Sequence, residues 1–321
     1  MVLSIAAIGS CRIHDPLRKA REQFGFVINR SRSLGFTHSS PEAVQQLKFL
    51  RGEIDIPEVF WPCVSNVDRE EVIAQKYVAS NIYVVELSSE KQFKIGDTYL
   101  QLNYFGNHFA EFFSDADRKN CYRRMIDKAT EAEVASFLKD SWSGTPSKDA
   151  ERNILQQVRF ERATEDTLRS DIRYLRDTLP RVLFVTHVNA LDGSGNLVKT
   201  RSRYIDLVKL VARQEGCAVY DPTYSMQELG QTETIDADIN HFTESFKERV
   251  VKDMFDSHLH QSITDIASLN PNENAKGIVE AYVAARLTHS SDKEAKDLRI
   301  WLKKLARKNP EFAAIRAGDS T

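Results

Sequence analysis

Short apolar runs separated by helical stretches constrain this chain more than any other feature. Five such runs occur: VLSIAAIGS, FGFVINRSRSLGF, SNIYVVELSS, PRVLFVTHVN and GCAVYDPT. Four are near-continuously apolar over their centres, the pattern of strands buried on both faces. The second is more mixed and is expected nearer an edge. The runs end in small or polar residues, among them Ser10, Ser88 and Ser89, Thr186 and His187, and Asp221. Leu168, Ile172, Leu175 and Leu179 recur at helical spacing before the fourth run, as do Leu207, Leu210 and Val211 before the fifth. Strands alternating with helices predict a three-layer α/β fold around a parallel sheet of about five strands. Ligands of such sheets sit at the carboxyl ends of the strands, so the polar run ends converge on one rim.

Asp15 and Pro16 read as an N-cap with proline at the first helical position, and Ser40 and Pro41 repeat the device. About residues 91–146 form an insertion rich in aromatics, YLQLNYFGNHFAEFF, closed by a SWSGTPS loop. Beyond SLNPNENAKG the chain reads as two helices. The expected organisation is an α/β domain over residues 1–265, carrying the insertion, and a helical C-terminal segment over 266–321.

Composition excludes several classes. Over 321 residues the net charge is −2, which gives no global pull toward nucleic acid or an anionic membrane. No run approaches the ~18 apolar residues of a membrane span. The first run is too short for a signal-peptide core and lacks a basic flank, so a cytoplasmic location is expected. Cys11, Cys63, Cys121 and Cys217 form no C-x-x-C pair, so neither a disulfide framework nor a zinc site is expected. His258 and His260 read as helix surface rather than metal ligands. In DGSGNLVKT, Val198 stands where a phosphate loop needs glycine before the lysine, which makes residues 192–196 a turn.

The chemistry concentrates at two places. The first run ends in IGSCR, where Gly9 precedes Ser10. A serine hydroxyl attacks a carbonyl only when a neighbouring base takes its proton, and a histidine oriented by a carboxylate supplies that base. ETIDADINHFTESF, after the last run, places Asp238 three residues before His241. Each motif has a plain structural reading beside the chemical one: Ser10 as a helix cap, Asp238 as a cap at a helix start. Arg12 reads as a bidentate partner for an acidic group or as half of an ion pair. His187 ends a buried run as a pocket residue or a satisfied core histidine, and His38 stands similarly on the second loop. Cys11 reads as a small packed side chain.

This ordering, serine after the first strand and D-x-x-H after the last, resembles the SGNH (GDSL-type) hydrolase superfamily, and the G-S-C block is most similar to its GSCFA-like branch. The resemblance covers roughly residues 1–265. It implies a flavodoxin-like sheet with Ser10 as nucleophile, His241 as base and Asp238 as orienter. With the Ser10 amide, an amide near His38 and Ser39 is expected to face the oxyanion, Ser88 or Ser89 could add a hydroxyl in place of the family's missing asparagine, and Arg12 and His187 are the candidate substrate-binding residues. Two blocks depart from the family: the glycine of the second, Gly35 in GFTHSS, lies early, and ELSSEK replaces the third, G-x-N-D. Asn189 in THVN could supply the missing amide, but it follows the fourth strand.

The resemblance implies a serine-dependent acyl-ester hydrolase or O-acyl(acetyl)transferase acting on a small-molecule or carbohydrate ester. Neither cofactor nor metal is expected, save an acyl donor such as acetyl-CoA for a transferase. The aromatic insertion suits sugar stacking, although packing accounts for most of Tyr104, Phe105, Phe109 and Phe112. The competing readings are a non-catalytic SGNH-like binding protein in surface-polysaccharide assembly, and an interaction module whose C-terminal helices form a homo-oligomer.

Overall fold

The computed structural model describes residues 2–29, 33–142, 146–238, 240–269 and 271–315. Residues 143–145 of the SWSGTPS loop lie outside them. Along the chain, β1 (Leu3–Ile8), β2 (Phe26–Ile28) and β3 (Ile82–Leu87) precede β4 (Lys91–Ile95), β5 (Thr98–Leu100) and β6 (Arg159–Arg162). β7 (Val182–Thr186) and β8 (Ala218–Tyr220) follow. The helices that bear on function are α1 (Cys11–Phe24), α2 (Ser40–Leu50), α3 (Leu102–His108), α4 (Ala116–Lys128), α5 (Lys199–Gln214) and α6 (Glu244–Met254). The structure divides into two compact units: residues 1–30, 78–86 and 175–321, and residues 31–77 and 87–174.

The first unit carries a five-stranded sheet in the order β2-β1-β3-β7-β8. Counting only the strands of this sheet, the order is the flavodoxin-like one. β1 pairs in parallel with β2 and β3, with Ile5 opposite both Ile28 and Ile82, and β7 pairs in parallel with β8. All six residues of β3 are buried, as a strand covered on both faces requires. The mixed second run supplies β2, a three-residue edge strand. The core gathers Leu3, Ile5, Phe24, Val84 and Val185 with Ile278, Val279, Tyr282, Leu298 and Leu302 of the helices Glu273–His289 and Asp292–Lys308. Phe24 stacks on Phe255 at 4.0 Å between ring centroids. Fully burying such a side chain contributes about 1.5–3 kcal/mol, so the C-terminal helices are held by the same core as the sheet.

α1 begins at Cys11, earlier than Asp15 and Pro16 led us to expect. Ser10 caps it, and Pro16 lies buried inside the helix, where it denies the Arg12 carbonyl its intrahelical donor.

The second unit is built on an antiparallel sheet, β5-β4-β6, which no run in the sequence announced. Its core holds most of the aromatic run: Phe105, Phe109 and Phe112 are at most 2% exposed, and Phe112 meets Tyr122 and Trp142 edge-on. These rings pack the unit. Among the described residues, no helix is long and apolar enough to cross a membrane.

Candidate functional site

β1 ends at Ile8 and α1 starts at Cys11, so Gly9 and Ser10 make the turn between them. Ser10 is only 2% exposed, and its Oγ accepts the Arg12 N–H at 3.3 Å, which caps the helix. The Ser10 backbone N–H donates to Glu86 Oε2 at 2.6 Å, while Arg12 Nε donates to Glu86 Oε1 at 2.7 Å. Glu86 is fully buried. A carboxylate is tolerated there only when paired and hydrogen-bonded, and Arg12 and the Ser10 amide meet both conditions. Its charge also faces the start of α1, whose first turn has no acidic residue of its own. Gly9 is required by this approach: a Cβ on it would sit 2.5 Å from Glu86 Cβ and 2.7 Å from Ile13 Cδ1. Because strand order reverses between β1 and β3, Ser10 and Glu86 stand at the topological switch point, where open α/β sheets bind ligands.

The cysteine beside the serine is no rival nucleophile. Burial pushes the Cys11 thiol up, opposed by the Arg12 charge and a hydrogen bond with Ser10, so it stays protonated at neutral pH.

His187 follows β7 and is buried. Its Nδ1 donates to the Val188 carbonyl, which leaves Nε2 as an acceptor. Burial pushes its pKa well down, and the charges of Arg12 and Arg201 act in the same direction. Arg201, on α5, is itself lowered by burial and then by Arg12. The His187 imidazole is therefore neutral, and it feels the charges of Arg201 and of the Arg12–Glu86 pair. Asn189 is anchored elsewhere: its Nδ2 donates to Ser202 Oγ at 2.8 Å and to the Val198 carbonyl at 3.3 Å.

Asp238 and His241 lie in a loop closed by a bridge between Ile235 and Phe242. Asp238 Oδ1 accepts the backbone N–H groups of Asn240 at 2.9 Å and His241 at 3.0 Å, and Oδ2 meets His241 Nδ1. The two backbone N–H groups and then the imidazole hold the Asp238 carboxyl down at about 2. Of the neighbouring acids, Glu244 is engaged by Lys19 and Lys247, and Asp236 offers its backbone N–H to the His241 carbonyl. Arg201 Nη2 donates to Asn240 Oδ1 at 3.1 Å, which ties this loop to the corner holding Arg12 and His187. The imidazole is exposed, and among the described residues no hydrogen bond joins it to Ser10.

The remaining expected residues gather in the second unit. The His38 carbonyl accepts the N–H groups of Ser88 and Ser89, each at 2.9 Å, and the Ser88 hydroxyl at 3.3 Å. The carboxylate of Glu42 accepts the His38 N–H at 2.9 Å and the Ser39 hydroxyl at 2.8 Å, and it also accepts the Ser39 N–H. Gln101 Nε2 donates to His38 Nδ1 at 2.9 Å. Burial pushes the Glu42 carboxyl up to about 7 against those bonds. Burial likewise pushes Asp171, which takes the Ser40 hydroxyl at 2.7 Å, up to about 6. The backbone amides of these residues are thus all engaged: Ser10 with Glu86, His38 and Ser39 with Glu42, Ser88 and Ser89 with the His38 carbonyl.

Two groups result: Ser10, Arg12 and His187 with the Asp238/His241 loop in the first unit, and His38, Ser39, Ser88 and Ser89 in the second. The sequence reading missed Glu86, Arg201, Asn240 and Glu42. Glu86 alone carried a signal, a charge inside the apolar run IYVVEL, which a buried strand must pair.

The model of the family described as TviD N-terminal domain matches residues 3–257. The chain belongs to that family. Ser10, Glu86, Arg201, Asp238 and His241 all fall inside the match, so the switch-point group is part of the TviD N-terminal domain. Vi polysaccharide biosynthesis protein TviD of Salmonella typhi is 32% identical over 259 residues, which is 79% of this chain and 31% of that protein. The chain thus spans about a third of the length of that relative. No solved structure matches it.

Proposed function

We propose that this TviD N-terminal domain protein transfers acyl groups through Ser10, on a carbohydrate ester of the kind met in polysaccharide biosynthesis. The observation that carries the reading is the contact between Asp238 Oδ2 and His241 Nδ1. It leaves Nε2 on an exposed imidazole as a proton acceptor and supplies a carboxylate, held ionised, to stabilise the imidazolium. Ser10 Oγ attacks the acyl carbonyl, His241 takes its proton and passes it to the departing alkoxide, and the ester C–O bond breaks as the acyl-serine forms. Water then releases the acyl group in a hydrolase; in an O-acyltransferase the donor is a thioester such as acetyl-CoA, whose C–S bond breaks as His241 passes the proton to the departing thiolate, and a sugar hydroxyl takes the acyl group from Ser10. Arg12 is held to Glu86 through Nε, which leaves its terminal nitrogens to receive the oxyanion. The hydrogen bond between Ser10 and His241 forms with substrate, as catalytic hydrogen bonds do when the unliganded geometry is long. The substrate class is supported by the relative, which is a Vi polysaccharide biosynthesis protein.

A second reading has its own support: the engaged amides of Ser10, His38, Ser39, Ser88 and Ser89 suit a domain that binds polysaccharide without turning it over. Hydrolysis of 4-nitrophenyl acetate by the wild type and Ser10→Ala separates the two. The acyl-serine reading requires activity that Ser10→Ala loses while it stays folded, its melting temperature lowered only by the loss of the helix cap, about 0.5–2 kcal/mol. Activity that persists in Ser10→Ala removes this serine, and no activity in either favours the binding protein.

A further inference from the structure

The second unit holds a cavity of about 530 Å³ that the chemistry of Ser10 does not use. One wall is the face of α3 that carries Asn103, Gly106 and Asn107; another is the face of α4 that carries Lys119 and Arg123. These spacings, three and four residues, put each set on one side of its helix. Phe93, Phe105 and Tyr122, all less than 10% exposed, back the cavity, and the half-buried Phe113 gives it an aromatic wall.

The polar groups are unmatched. No carboxylate lines the cavity. Among the described residues, Lys119 and Arg123 have no ion pair, and the amides of Asn103 and Asn107 have no hydrogen bond. Arg118, on the same helix, shows the contrast: its Nε donates to the Phe112 carbonyl at 2.7 Å.

Gly106 adds an independent observation. Glycine inside a helix is destabilising relative to alanine, so its presence needs a reason. Its φ is not left-handed, and a Cβ built on it meets nothing within 4 Å. Neither backbone nor neighbour requires glycine, and a side chain larger than alanine there would project into the cavity. Glycine is the residue that lets a ligand approach a helix backbone closely.

We propose that this cavity binds a purine nucleoside phosphate. The base lies against the aromatic wall over Gly106, and a side-chain amide, with donor and acceptor side by side, matches the N6 and N7 edge of adenine. Lys119 and Arg123 take the phosphates.

Calorimetric titration of the full chain with ADP, adenosine, inorganic phosphate and UDP tests this. The expected result is saturable ADP binding at least about tenfold tighter than that of the other three. Lys119→Gln with Arg123→Gln weakens ADP at least about tenfold and leaves adenosine unchanged, and Gly106→Leu removes both. Gly106→Ala, which meets no neighbour, controls for folding with a melting temperature at or above wild type. Absence of saturable ADP binding overturns the proposal, as does ADP binding that survives both cavity variants. Phosphate binding as tight as ADP would make this an anion site only, and UDP binding as tight as ADP would remove the purine.

Discussion

The Ser10 backbone N–H donates to the Glu86 carboxylate at 2.6 Å, so the residue that turns the chain out of β1 is held by a residue of β3. Arg12 closes the arrangement on the other carboxylate oxygen. Ser10 is thereby fixed at the switch point of the sheet by its neighbours on both sides in the fold, not by helix capping alone.

Removing one partner of a buried pair leaves the other charge unmatched. Glu86→Ala should lower the free energy of unfolding by about 3 kcal/mol, read by urea denaturation. Glu86→Leu combined with Arg12→Met should cost less than the two single changes added together. A loss below about 1 kcal/mol in Glu86→Ala would mean that the carboxylate does not hold this turn.

Gly9→Ala introduces a Cβ that must displace Glu86 Cβ from 2.5 Å and Ile13 Cδ1 from 2.7 Å. The expected cost is about 1–3 kcal/mol, with Ser10 moved and esterase activity reduced. Alanine tolerated with neither effect would show that the close approach is not required.

The register of the D-x-x-H block is tested by Asp236→Asn, Asp238→Asn and Glu244→Gln measured side by side. Asp238→Asn should lose up to about 10⁴-fold in turnover, because the amide favours the wrong imidazole tautomer. The neighbours should stay near wild type, since Glu244 serves Lys19 and Lys247. Near-normal turnover in Asp238→Asn with collapse in a neighbour would reassign the orienter.

Glu42 and Asp171 should contribute stability that falls with rising pH, against the opposite contribution of His187, whose folded pKa lies below the ordinary histidine value. The folded pKa values of the two carboxyls, about 7 and about 6, lie above the ordinary 4.5 and 3.8. The folded state therefore keeps protons that the unfolded chain has already released. Their contribution is complete below the ordinary carboxylate pKa values and is lost as pH rises through about 6 to 7, a change on the order of 3 kcal/mol for each group. Between pH 4.5 and 8 the stability lost on raising the pH, read from denaturant midpoints, should be greater in the wild type than in Glu42→Gln. An unchanged slope in Glu42→Gln would place the titration elsewhere.

Much of the sheet was legible because buried parallel strands write themselves as apolar runs, and each of the five runs contains a strand. Leu168, Ile172 and Leu175 are buried as their spacing required. Before β8 the face was read in part: Val211 is buried as its spacing required, but Leu210 is exposed and Tyr204, Ile205 and Val208 turn inward, because a mixed pattern supports more than one stripe. The antiparallel sheet of the second unit was invisible, since Lys91–Ile95 and Arg159–Arg162 alternate charge with apolar residues and lie far apart in the chain. At the site, Asp238 and His241 were readable as a local pair. Glu86 and Arg201 were not, since their partners, Arg12 and Asn240, are close only in the folded chain.

The central claim is that Ser10 is a nucleophile activated by His241. Incubation of the full chain with a fluorophosphonate, followed by peptide mass spectrometry, measures this directly. The account predicts one adduct, on Ser10, lost in Ser10→Ala and formed at least about 10³-fold more slowly in His241→Ala. An adduct on another residue, or a wild type that remains unlabelled at a concentration that labels an active serine esterase in parallel, would contradict it.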